Sequence, residues 1–307
     1  MYEPIAHKLA AREPIVLDGA TGTDLQRRGV AMDDEVWCAS ANLAAPAAVQ
    51  AVHADYIAAG AEVITANTFA TSPLLFNALG RDGEIAAIDR AAVKLARQAR
   101  DKTGATVAIA GSFSVMRPVV KGTAVAGERP RWSARQARPL MRAKAEGLAQ
   151  AGCDLILMEM MRDCDYSVWA TEAAVATGLP VWVGIAVERR ADGRLGGFGR
   201  HEWALEDIVS PLMASGALAC LIMHNEIDLT ADALEVVRSH WPGPLGAYPE
   251  SGYFEMPDWQ FVDIIAPDKF VACCLQWRRQ GATILGGCCG IGPEHIAALS
   301  AALRREA

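Results

Sequence analysis

Short β-branched or apolar runs alternate along the whole chain with longer segments whose apolar residues recur at helical spacing. Residues 14–17 predict a strand ending at Asp18. A helix follows over 46–59, where Val49, Val52, Tyr56 and Ile57 fall on one face, and Gly60 closes it as a C-cap. A strand over 62–66 comes next, and the unit repeats as helix 85–102, strand 106–110, helix 133–151 closed by Gly152, strand 154–158, helix 166–177 and strand 181–187. The second half continues with helix 203–213, strand 219–223, helix 231–240, strand 245–248, helix 258–279, strand 283–285 and helix 293–304. Repeated strand–helix units over a chain of about this length predict an α/β fold, a single (β/α)8 TIM barrel over residues 1–307. A dinucleotide-binding doubly wound sheet would carry a G-x-G-x-x-G run after its first strand, and none follows a strand here.

Two loops stand out. Residues 117–131, with Pro118, Gly122, Gly127 and Pro130, follow the third strand and are expected over the mouth of the barrel, where βα loops collect. Residues 188–201 contain Asp192-Gly193 and Gly196-Gly197, turn signals of the hairpin kind.

Composition narrows the function. Hydrophobic residues make up 52% of the 307 positions and charged residues 21%, enough to build a packed core. The net charge of −7 and the lack of a basic stripe argue against a nucleic-acid partner. The uncharged stretch 208–225 is broken by Ser210, Pro211, Ser215, Gly216, His224 and Asn225, so it does not read as a membrane span. The N-terminus lacks the basic-then-apolar order of a signal peptide. A cytoplasmic protein with no membrane partner is expected.

Chemistry in a barrel collects just past the C-terminal ends of the strands. There the chain offers Asp18 to Thr23, Asn67-Thr68, Glu159, His224-Asn225-Glu226, Tyr248 to Gly252, and Gly286 to Gly290. Of the eight cysteines, Cys288 and Cys289 are set apart by glycines on both sides, whose dihedral freedom would let two adjacent thiols face one ion. Cys273-Cys274 lies in a helical pattern and reads as packing, as do His53, Asp55 and Tyr56.

The segments Leu17-Asp18-Gly19-Ala20-Thr21-Gly22-Thr23, 59–69 and Gly286-Gly287-Cys288-Cys289-Gly290 resemble the homocysteine S-methyltransferase family, supported by Trp37, 53–56 and Tyr248-Pro249. The resemblance runs nearly end to end. It implies a barrel with zinc at its mouth, held by three cysteines: two in the Gly-rich turn and one after an Asn at the end of strand six. This chain has Asn225-Glu226 at that point, and Glu250 where the family's strand-seven motif has Asn.

The metal set expected on this basis is Cys288, Cys289 and Glu226, because a carboxylate keeps the ligand charge and is an accepted zinc donor. His224 is a competing ligand, a metal-free site is the third case, and Glu226 as a buried general base is the other catalytic reading. By resemblance, Asp18 and Gly19 belong to the loop contacting the homocysteine carboxylate, and Glu159 pairs with the substrate ammonium. The function implied is a methyltransferase of methionine biosynthesis, moving a methyl group from an onium donor (S-methylmethionine, S-adenosylmethionine or a betaine-like compound) to homocysteine or a related thiol. The alternatives are a diverged member with an altered metal site and a different thiol or donor, and a non-catalytic ligand-binding barrel. The partners are a small thiol amino acid and its methyl donor, and a homo-oligomer is compatible with the sequence.

Overall fold

The computed structural model describes residues 1–118, 130–255 and 260–306. Eight parallel strands form its centre: β1 (Ile15–Val16), β2 (Val63–Ala66), β3 (Ala108–Ser114), β4 (Leu155–Met161), β5 (Val181–Arg189), β6 (Ala219–Glu226), β7 (Leu245–Glu250) and β8 (Ala282–Leu285). Each pairs in parallel with its chain neighbour from β2 to β8, and β8 pairs with β1. The ring closes between β1 and β2 through a parallel bridge from Leu17 to Val63, with Asp18 N donating to Val63 O at 3.1 Å and Glu62 N to Val16 O at 2.8 Å. The expected (β/α)8 barrel is therefore present.

Strand alternation sorts the core into two layers. Leu155 and Leu157 on β4 pack inside the barrel with Ile15, Leu17, Val63, Trp182, Leu221 and Ile284. Their neighbours Ile156 and Met158 face outward, against the helices, with Ile64, Ile109, Val183 and Ile222. This is the period of two that a strand imposes on a barrel filled by side chains. Gly184 makes room inside: a Cβ there would stand 2.1 Å from the Tyr248 hydroxyl.

Helices over Thr21–Arg27 and Pro73–Ala78 are not expected from the sequence, and three other regions depart from that expectation as well. A helix over Glu3–Ala11, not expected, sends Ile5 into the inner core with Tyr2 and Leu9 beside it, and Tyr2 accepts a hydrogen bond from Trp182 Nε1 at 3.0 Å. The helix expected over 203–213 begins only at Leu205, because Arg200–Ala204 is a strand paired with Leu195–Gly197, itself paired with the end of β5. The helix expected over 258–279 runs only from Pro267 to Arg279, while Gln260–Val262 pairs with Tyr253–Glu255 as an antiparallel hairpin. Pro267 explains that boundary, since a proline fits the first helical turn and pushes the residue before it into extended conformation. Most of the expected mouth loop, residues 119–129, lies outside the described residues, as do 258 and 259. No helix among the described residues is long and apolar enough to cross a membrane.

Candidate active site

A cavity of about 430 Å³ opens at the C-terminal ends of the strands and is lined by Asp18, Glu159, His224, Tyr248, Cys288 and Cys289, among others. Strand ends from around the ring thus converge on one space, as barrel architecture dictates.

The Gly-rich turn after β8 is held tightly. Gly287 N donates to Asp18 O at 3.1 Å and Cys288 N to Pro249 O at 2.8 Å, while Ser251 N donates to Cys289 O at 3.0 Å. Only Gly290 in this turn has a left-handed backbone, φ 83°. Gly286 and Gly287 serve close approach instead: a Cβ at 286 would meet Asp18 O at 2.7 Å, and one at 287 would meet the Ile291 side chain at 2.3 Å. The turn leaves the Cys288 and Cys289 sulfurs 3.9 Å apart.

The third member of this group is His224, whose Nδ1 lies 3.7 Å from Cys288 Sγ. One ligand atom from each of His224, Cys288 and Cys289 falls within 4.8 Å of the others. Glu226 stands outside the group, exposed at the cavity rim. A bulge accounts for the difference. Between β6 and β7 the register runs from Met223–Tyr248 to Glu226–Glu250, so one extra residue sits on β6. His224 absorbs it with φ 45°, a left-handed conformation that side chains adopt rarely and functional sites retain. In a regular strand His224 and Glu226 would face the same way; the bulge parts them. Phe198 packs edge-on against the imidazole, ring centres 5.2 Å apart, and Glu250 Oε2 lies 3.0 Å from Nδ1. Burial opposes a charged imidazole here, but Glu250 and the Cys288 sulfur outweigh it and lift the His224 pKa to about 10. The neighbouring Cys289 and burial hold the Cys288 thiol well above its ordinary range. This end of the cavity favours a positive charge among the three side chains.

Two carboxylic acids sit across the floor. Asp18 accepts from Thr65 N at 2.6 Å and Thr65 Oγ1 at 2.9 Å. Burial raises its pKa to about 7 in spite of those bonds, with Glu159 adding repulsion. Glu159 accepts a short hydrogen bond from Ser112 Oγ, and burial raises it to about 7 as well. The β4–β5 register slips by one residue at this point, between Met158–Val183 and Met161–Ile185, and Met160 takes φ 58°. A second bulge therefore carries the second acid. Gly19 admits the backbone of the turn before the C-terminal helix: its Cβ would stand 2.3 Å from Ile291 O.

Asn67 and Thr68 turn out to bind the framework. Asn67 donates to Cys38 O and Asn42 Oδ1, and Thr68 Oγ1 to Ser112 O. Tyr56, read as packing, ties Ala20 O and Ile291 O together from its hydroxyl. Trp37 lies on the cavity wall with φ 49°, its ring edge-on to Phe69 at 6.3 Å between centres. Gly22 accommodates that ring, since a Cβ there would stand 2.3 Å from it. The Glu250–His224 contact went unread in the sequence; two departures from the family motif at neighbouring strand ends were its only signal.

The homocysteine S-methyltransferase family model matches residues 15–303. The homocysteine S-methyltransferase of Escherichia coli (strain K12) is 27% identical over 326 residues, covering 97% of this chain and 98% of its own. The selenocysteine methyltransferase of Astragalus bisulcatus is 24% identical, covering 92% of this chain and 90% of its own. Among solved structures, the homocysteine methyltransferase MmuM from Escherichia coli in its metallated form aligns with a TM-score of 0.78 at 25% identity, over 97% of this chain and 99% of that one.

Proposed function

This chain belongs to the homocysteine S-methyltransferase family, and we propose that it transfers a methyl group from an onium donor to the thiol of homocysteine at a site where Cys288, Cys289 and His224 hold a zinc ion. The observation that carries the reading is the grouping of those three side chains in one cavity with Asp18 and Glu159. Two separations of the donor set fit zinc: tetrahedral coordination at usual Zn–S and Zn–N lengths puts ligand atoms about 3.6–3.8 Å apart, against 3.9 Å between the sulfurs and 3.7 Å from Cys288 to the imidazole, with all three within 4.8 Å of one another. Two thiolates and a neutral imidazole carry one negative charge fewer than three thiolates. Glu250 stands 3.0 Å from the same Nδ1 that faces Cys288, so a zinc ion taken by that nitrogen would displace the contact and leave the carboxylate beside the ion, where it supplies the missing charge. When bound, the metal supplies Lewis acidity that keeps the acceptor sulfur as a thiolate near neutral pH.

The remaining groups position the reactants. Asp18 and Glu159, buried without a cation of their own among the described residues, offer two carboxylates to the acceptor's ammonium group. The backbone of the first loop at Gly19, which lines the cavity, would meet its carboxylate. The rings of Trp37 and Phe69 flank the cavity, where an onium methyl gains from an aromatic face. The acceptor sulfur then attacks the methyl carbon in line, and the donor leaves with the electron pair of the broken bond, losing its positive charge.

Zinc content and methionine formation from homocysteine, measured with S-methylmethionine, S-adenosylmethionine and betaine in turn, test the reading. Cys288→Ser, Cys289→Ser and His224→Ala should each strip zinc and abolish turnover in a folded protein, while Cys273→Ser stays silent. Glu226→Ala should keep its metal. Full zinc in His224→Ala with loss in Glu226→Ala would return the third position to Glu226, and zinc-free wild-type protein with full turnover would dismiss the metal.

A further inference from the structure

The same cavity holds a charged pair that binding of the acceptor does not use. Arg117 follows β3 and Arg162 follows β4; both line the cavity and both are only 7% exposed. Among the described residues neither guanidinium makes an ion pair. Arg162 Nη1 donates to Phe198 O at 3.3 Å, and Arg117 lies 5.8 Å above the Tyr166 ring. The buried acid beside them, Asp163, is already engaged: Arg200 holds one oxygen at 2.9 Å, and the backbone N–H groups of Asp165 and Ser167 donate to the other. Burial, then repulsion from Arg117, brings the Arg162 pKa down to about 10, and burial, then repulsion from Arg200, lowers that of Arg117. A chain with a net charge of −7 thus keeps two positive groups without an ion pair in its cavity wall, sharing with Arg200 the nearby charge of Asp163. Buried unpaired charge is costly unless a partner arrives.

We infer that Arg117 and Arg162 form the subsite that holds the carboxylate of the methyl donor; the inference rests on the methyl-transfer reading above. Its place favours donor over acceptor. The acceptor's carboxylate is already assigned to the loop at Gly19 after β1 and its thiol to the metal site, so an anion at Arg117 and Arg162, after β3 and β4, belongs to the second reactant. A planar, forked donor suits a carboxylate, and two of them can fix both its oxygens while the onium end points to the thiol. An onium compound without an acid group would leave both guanidiniums unpaired.

Calorimetric titration of the zinc-loaded protein with S-methylmethionine and with its methyl ester, in the absence of homocysteine, tests this without turnover. The wild type should bind the free carboxylate at least about tenfold more tightly. Arg162→Gln and Arg117→Gln should each weaken S-methylmethionine binding about ten- to a hundredfold, the usual effect of losing a charge-assisted hydrogen bond. They should leave binding of the ester and of homocysteine unchanged, which also shows the site is intact. Arg162→Lys, which keeps the charge and loses the fork, should fall in between and serves if the glutamine variants do not fold. Equal binding of acid and ester, binding of neither, or losses that fall on homocysteine would overturn the inference. A wild type that prefers the acid but methylates nothing would remove the proposed reaction and leave the subsite standing.

Discussion

Asp18 and Glu159 are acids buried ahead of need. Each has its pKa lifted from the ordinary carboxylate range to about 7 by burial, so between about pH 4 and 7 the folded chain holds protons that the unfolded chain has released. Stability therefore falls as pH rises through that window, and the cost is fully present above it. Glu159→Gln should remove part of that cost: at pH 8 we expect the variant to be about 1–3 kcal/mol more stable than wild type by urea titration, with a flatter pH profile, and unable to bind homocysteine. Lower stability at pH 8 would show that the carboxylate is compensated in the free protein. For the wild type, homocysteine affinity should rise as pH increases from 6 to 8, since the ammonium needs ionised partners. Both acids were legible in the sequence because they follow strands directly. His224 was legible only as a competitor to Glu226 for the thiols' metal, because its direction depends on one inserted residue that no hydrophobic period records.

Elements rather than single residues set the site's precision. Bulges on β4 and β6 each spend one residue in a left-handed conformation, Met160 and His224, and each presents a neighbouring or bulged side chain to the cavity. The Gly-rich turn does the same for the sulfurs, but by contact rather than by dihedral. Gly287→Ala should test this. A Cβ 2.3 Å from Ile291 must push the turn, at a cost of about 1–3 kcal/mol typical of overpacking, and should lower zinc content as Cys288 moves. Gly83→Ala, where a Cβ meets nothing within 4 Å, is the control. Unchanged zinc content in Gly287→Ala would mean the turn tolerates displacement. Strand–helix alternation was readable because buried strands and amphipathic helices leave strong periods. The hairpin of Tyr253–Glu255 and Gln260–Val262 was not: its apolar residues also fit the start of a helix, and only Pro267 marks where the helix begins.

At the scale of the whole molecule, the barrel has two ends with different duties, reactive groups at one and the helix Glu3–Ala11 at the other. The sequence signals that helix weakly, because its apolar residues are few and interspersed with charges, although Ile5 is almost fully buried. Removing residues 1–12 should uncover the inner core at Trp182, which Ile5 and Tyr2 cover, and lower stability by about 3–5 kcal/mol, read as a lower urea midpoint; an unchanged midpoint would mean the helix merely rests there. Closure of the ring has its own weak point. The β1–β2 seam depends on a two-residue strand and one bridge, yet Asp18, beside that bridge, also grips Thr65 on β2 through both carboxylate oxygens. An ammonium ion that holds Asp18 in its charged form strengthens that grip. The amino acid would then act as a clasp on the barrel: hydrogen–deuterium exchange at the Thr65 amide should slow when homocysteine binds, and should not respond to the ligand in Asp18→Asn.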